Sequence, residues 1–216
     1  MRPDMPEEGK HRKLAETTYH RLLDDILSCV LPGGTVIQER KLALALGVSR
    51  SPMRAALNRL EGEGMLVRLN ERLIVVRVIK LEDYLHSLDV RALIEPQAAE
   101  LATANISNEE VRRIEQELAS LEQTGSPTMK QHWEFDDLLH ETLAEKSGNP
   151  FLEKTINEMR RYTKIFEQQA FPGRGLFGAS DHRDLIEALK LRDGKKAYAS
   201  MAQHIRNVRK RTLASY

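Results

Sequence analysis

The stretch ERKLALALGVSRSPMRAALNRLEGEG, residues 39–64, constrains this chain most. Apolar residues recur at helical spacing on both sides of Gly47-Val48, so one helix over Glu39–Leu46 must turn sharply into another that starts at Ser49 and runs to about Glu63. Ser49 suits the N-cap, and Pro52 falls in the first turn, where its missing N–H costs little. Two short helices joined by so brief a glycine-containing turn make a helix-turn-helix unit.

The flanking segments complete a small domain. Leu22, Leu23, Ile26, Leu27 and Val30 predict a helix from Leu14 that stops at LPGG. The first ten residues, with two prolines and no apolar period, read as a loose arm. After the helix pair, MLVRL and LIVVRVI are β-prone and flank Asn70, Glu71 and Arg72, the pattern of a hairpin. The expected domain spans 11–79 and is a winged helix-turn-helix. Beyond it, 80–216 carries helical periodicity throughout, broken at ANISNEE, QTGSPT, KSGNP, FPGRGLFGAS and RDGKK into about six helices. FPGRGLFGAS is the least ordered-looking break. The fold class is therefore mainly α, a winged helix-turn-helix followed by an all-α bundle, consistent with only 5% aromatic residues.

Charge separates the two parts. Residues 1–80 hold 14 basic and 10 acidic residues, against 19 and 22 in 81–216, so the first part is the one suited to a polyanion. On the helix that starts near Ser49, Arg50 and Arg54 share a face while Met53, Ala56, Leu57 and Leu60 turn to the core. An arginine fork matches guanine O6 and N7, and serine hydroxyls suit phosphate oxygens. Taken alone, two such arginines also read as a solvated helix face. One cysteine excludes an internal disulfide, no apolar run reaches membrane-spanning length, and the first residues lack a secretory core, so a cytoplasmic protein is expected.

The order helix, LPGG, ERKLA, GVSRSPMRAALNRLEGEGML, hairpin resembles the DNA-binding domain of GntR-family transcriptional regulators from Leu14 to about Val78. That resemblance implies operator contacts by Arg40, Ser49, Arg50, Ser51 and Arg54, with Arg72 near the wing. Three positions depart from the family pattern: Glu71 replaces a wing glycine with a carboxylate that phosphate repels, Cys29 replaces another glycine, and Ala55 replaces an acid.

In the second part, Phe135, Leu138, Leu139, Thr142 and Leu143 form one helix face, with Asp136 and His140 on its border and Asp137 directed to solvent. His182 shares the face of Leu185, Ile186 and Leu189, and His204 borders the stripe of Tyr198, Met201, Ile205 and Val208. Three helices can thus bring a carboxylate and three imidazoles to one interior, as bundles build metal sites. Locally, an Asp/His pair at the spacing of Asp136 and His140 is more often a surface hydrogen-bonded pair, and His182 fits a core histidine satisfied by a carbonyl.

RALIEPQAAELA, FDDLLHETLAEKSGNPFL and SDHRDLIEALKLRDGKKAYASMAQHI resemble the FCD ligand-binding domain of the FadR branch, and the helix count resembles its VanR-like subgroup. The resemblance implies a divalent transition metal, Zn, Ni or Mn, held by Asp136, His140, His182 and His204, and a small carboxylate effector completing its shell. Arg91 is a candidate effector contact; a salt bridge to Glu95 is its alternative. His132, outside the family's ligand set, reads as a surface or supporting residue. The whole implies a homodimeric regulator, more commonly a repressor, on palindromic operator DNA, with no membrane partner. A metal-sensing regulator is one alternative; a metal-dependent hydrolase is another, but it leaves the winged helix unexplained.

Overall fold

The computed structural model describes residues 7–171 and 179–215, and the chain divides into two units, Met1–Ile79 and Lys80–Tyr216. The first unit contains α1 (Glu7–Leu27), α2 (Glu39–Ala45), α3 (Arg50–Gly62), β1 (Leu66–Asn70) and β2 (Leu73–Val76). The helix begins earlier than expected, since Glu7–Lys10 belong to α1; the rest of the supposed arm lies outside the described residues.

Tyr19, Leu22, Leu23 and Ile26 of α1 are buried in one core with Met53, Ala56, Leu57 and Leu60 of α3, the apolar faces read from periodicity. Tyr19 keeps a polar tip, donating to Glu63 Oε2 at 2.6 Å, while the Arg59 guanidinium lies 3.6 Å over its ring. Gly47, at φ +63°, makes the sharp turn between α2 and α3 that a side chain would strain. The hairpin is antiparallel, Leu66 opposite Val76 and Arg68 opposite Ile74, with an irregularity between Arg68 and Asn70 at the tip.

The second unit holds α4 (Leu81–Asn105), α5 (Asn108–Gln123), α6 (Met129–Lys146), α7 (Pro150–Ala170), α8 (Ala179–Lys190) and α9 (Gly194–Ser215), six helices among the described residues. Most of the FPGRGLFGAS break, residues 172–178, lies outside them. Helix α4 packs against α6, α7 and α9 and is the spine of the bundle. Local chemistry fixes the ends that matter for the site. Thr128 accepts from the Gln131 N–H and starts α6; Gly148, at φ +71°, ends it; Asn149 then caps α7, with Pro150 in its first turn. These signals set how far along α6 Asp136 and His140 sit.

Candidate metal centre and nucleic-acid face

Helix α6 carries Asp136 and His140 one turn apart, α8 supplies His182 and α9 supplies His204. All four are buried, at 7%, 1%, 1% and 2% exposure, and one ligand atom from each lies within 4.8 Å of the others. Bonds of about 2.0–2.2 Å place ligands on opposite sides of one ion about 4 Å apart. The four groups therefore have the spacing of a coordination shell with only a small contraction.

The protonation states suit a cation. His140 Nδ1 stands 2.6 Å from Glu95 Oε2. Burial would raise the Glu95 carboxyl, but the Arg91 guanidinium and His140 outweigh it and hold it below the usual range, so it is the acceptor. Nδ1 then carries the proton, and Nε2 presents its lone pair 3.6 Å from Asp136 Oδ1. Burial pushes His182 down to about 3, and neither of its ring nitrogens meets a hydrogen-bond partner among the described residues. Burial, then His182 and His140, also hold His204 well below its ordinary value. Neutral imidazoles with unshared lone pairs, buried at such cost, fit a transition-metal ion.

Asp136 is divided between two tasks. Its Oδ1 faces the imidazoles, 3.6 Å from His140 Nε2 and 3.9 Å from His182 Nε2. Its Oδ2 lies 2.9 Å from Arg160 NH1, an ion pair without hydrogen-bond alignment. Burial alone would lift this carboxyl; Arg160 overrides it and holds it well below the usual range. One oxygen is thus left for a metal.

Three readings from sequence need correction or completion. Asp137 is not a solvated neighbour, because it accepts from Arg160 NH2 at 2.7 Å and Lys164 Nζ at 2.6 Å, both on α7. His132 is no surface residue, being 5% exposed in the wall of the metal cavity. Arg91 also lines that cavity, but its Nε donates to Glu95 and its NH1 to Thr163 Oγ1 at 3.0 Å, so its fork is occupied within the protein. The Arg91–Glu95 salt bridge, the alternative read from the sequence, is the one that forms, whereas Arg160, Trp133 and Glu167 escaped the sequence reading.

The first unit exposes Arg40, Ser49, Arg50, Ser51, Arg54 and Arg72. Ser49 holds the N-cap position of α3 without a side-chain capping bond. Arg54 Nε donates to both Glu39 oxygens, at 2.9 and 3.2 Å. Arg40, Lys41, Arg68 and Arg72 line an open groove of about 690 Å³ between the start of α2 and the hairpin, Glu71 among them. Cationic groups on this face suit phosphate, while Glu71 opposes it.

Comparison with known proteins agrees with this division. Residues 14–76 match the family described as bacterial regulatory proteins, gntR family, and residues 86–207 match the FCD domain. The chain is 26% identical to the HTH-type transcriptional repressor RspR of Escherichia coli over 197 residues, 88% of this chain and 85% of the relative. It is 30% identical to the Nta operon transcriptional regulator of Aminobacter aminovorans over 140 residues, 63% of this chain and 67% of that one. The fold is also that of E. coli McbR/YncC, with a TM-score of 0.77 at 19% identity, covering 94% and 99% of the two chains. No helix among the described residues is long and apolar enough to cross a membrane.

Proposed function

The chain belongs to the gntR family of bacterial regulatory proteins and carries an FCD domain, and from that premise we propose a homodimeric, cytoplasmic repressor whose operator binding is set at its metal centre. That it is a DNA-binding transcriptional regulator, and not an enzyme, follows from the family and the names of its relatives. The metal reading rests on one observation: four buried ligand atoms converge while both His182 nitrogens lack a hydrogen-bond partner among the described residues. Asp136, His140, His182 and His204 hold Zn, Ni or Mn, and a small carboxylate completes the shell as effector.

Arg50 and Arg54 read base edges, with Arg40, Ser49, Ser51 and Arg72 on backbone oxygens. Pairing of two chains is supported by α4, where Val90, Leu93 and Leu101 form an exposed apolar row, Leu93 at 76% exposure. Two copies then present two α3 helices to a palindrome. The effector acts by favouring one arrangement of the reading heads over the other.

A second reading has its own support. The cavity at the metal centre is only about 20 Å³, space for roughly one or two water-sized atoms. Such a closed site favours the ion itself as the signal. Titrating Zn, Ni or Mn and candidate acids separately into an operator-binding assay distinguishes the two: a switch by buffered metal alone rules out the acid as signal. Failure of the purified protein to take up any of the three metals defeats both.

A further inference from the structure

The arginine face of the first unit also carries a carboxylate. Glu39, the first residue of α2, meets Arg54, one turn into α3, whose Nε donates to both of its oxygens at 2.9 and 3.2 Å. A second arginine is held differently. Arg68 gives Nε and NH2 to separate oxygens of Glu61, at 2.9 and 2.6 Å, so one edge of its fork is committed in two parallel bonds. Arg54 gives Glu39 one N–H, shared between two oxygens. With side chains 62% and 32% exposed, this is the weaker pairing, and a better acceptor can replace it.

When Arg54 leaves for a guanine, the Glu39 carboxylate stays behind beside the bases. Phosphate repels it, and so do guanine O6 and N7 and thymine O4. An amino group satisfies it. Adenine N6 adjoins the acceptor N7 on its own base, whereas cytosine offers N4 with no such neighbour in the major groove. We infer that Glu39 is a cytosine reader: as Arg54 takes a guanine, the Glu39 carboxylate accepts from N4 of a cytosine in the neighbouring base pair. This rests on the reading of Arg54 as a base contact above. The 2.9 Å between the two groups is close to the rise of about 3.4 Å per base pair, so the ion pair divides between successive steps of the groove. On other sequences a phosphate can take Arg54, but Glu39 then faces negative charge without a donor. The carboxylate thus acts against wrong sites as well as for the right one.

Preferred duplexes are selected from a random library with the full-length protein, both as purified and after chelation, and their single-base variants are measured by direct binding. The wild type is expected to select a guanine adjoining a cytosine, and Arg54→Ala, by losing the guanine preference, marks its position. Glu39→Ala is expected to lower the preference for the adjoining cytosine about tenfold, the scale of one hydrogen bond to a charged group, and to keep the guanine. Glu39→Gln is expected to turn that position toward adenine, whose N6 and N7 match an amide, a shift that a purely structural role does not produce. Undiminished cytosine preference in Glu39→Ala overturns this inference alone, as does a change in that variant confined to the guanine or equal on every sequence. Retention of every base preference by Arg54→Ala, or no selectable site in either state, overturns it together with the reading of Arg54.

Discussion

His140 Nδ1 lies 2.6 Å from Glu95 Oε2, and both side chains are almost wholly buried. The bond crosses from α6 to α4 and fixes which ring nitrogen of His140 faces the other ligands. Glu95→Gln weakens the acceptor and removes the countercharge of Arg91. Loss of such an outer partner lowers metal affinity by about 10- to 100-fold. Competition with a chromophoric chelator measures it, and an unchanged affinity would show that the helix alone orients the ring.

The metal-free protein should lose stability as pH falls below about 6.5. His182, held down to about 3, and His204, also depressed, stay neutral in the folded chain while the unfolded chain protonates them. The unfolded state then binds more protons, so stability falls with falling pH until the folded pKa values are reached. Glu167 works the other way. Burial and Asp136 push it up to about 7, so its protonation in the folded state gains stability between about 7 and 4.5. His132, also lowered by burial, adds a third histidine to the same loss, so the histidines outnumber Glu167 and stability should fall as the pH drops from about 6.5 to about 4.5. Urea titrations with metal chelated test this, and His182→Phe should flatten the slope.

Cys29→Gly should stabilise the first unit. Cys29 takes φ +57° in the turn after α1, where the Leu31 N–H reaches back to the Asp25 carbonyl at 2.8 Å. The left-handed conformation costs a side-chain-bearing residue about 1–2 kcal/mol, of which glycine returns about 0.4–1 through its freer unfolded chain. The expected net gain is up to about 1.6 kcal/mol by denaturant unfolding. A loss instead would mean that the thiol's packing outweighs the strain.

Arg50→Ala should weaken operator binding and relax its sequence preference, at about 1–3 kcal/mol for a bidentate guanine contact. Arg50 is exposed on the first turn of α3, whereas Arg54 must release Glu39 before it can reach a base. Binding measured across operator variants is the check; unchanged preference removes Arg50 from base reading.

These tests depend unequally on what the sequence discloses. Short-range signals reveal the helix pair around Gly47, the hairpin after it and six helices behind them, because caps, glycines and apolar periods act within a few residues. Asp136 and His140 are legible as a pair by their spacing, but spacing leaves a surface pair and a core His182 open, and it is the resemblance to the FCD domain that joins them with His182 and His204. The partners of Asp137 are not legible. Arg160 lies 23 positions away on α7, and whether it opposes Asp137 depends on how α7 registers against α6, which helical period leaves open. For the same reason Asp137 reads as solvated, and the wall that Trp133 and Arg211 make in the metal cavity stays hidden until α6 and α9 are placed.

Arg160 itself gives the sharpest separation of apo and metal-bound behaviour. It is 4% exposed and pairs with Asp136 Oδ2 at 2.9 Å and Asp137 Oδ1 at 2.7 Å. Arg160→Met keeps most of the volume but leaves Asp136 as a buried carboxylate without its guanidinium partner. Breaking one side of a buried ion pair costs about 3–5 kcal/mol, so the chelated variant should melt well below the wild type. A divalent ion restores positive charge beside the same carboxylate, and binding to the folded state alone raises stability by mass action. Metal should therefore raise the melting temperature of Arg160→Met by more than it raises that of the wild type. An equal increment in both would mean that Arg160 and the metal do not share Asp136.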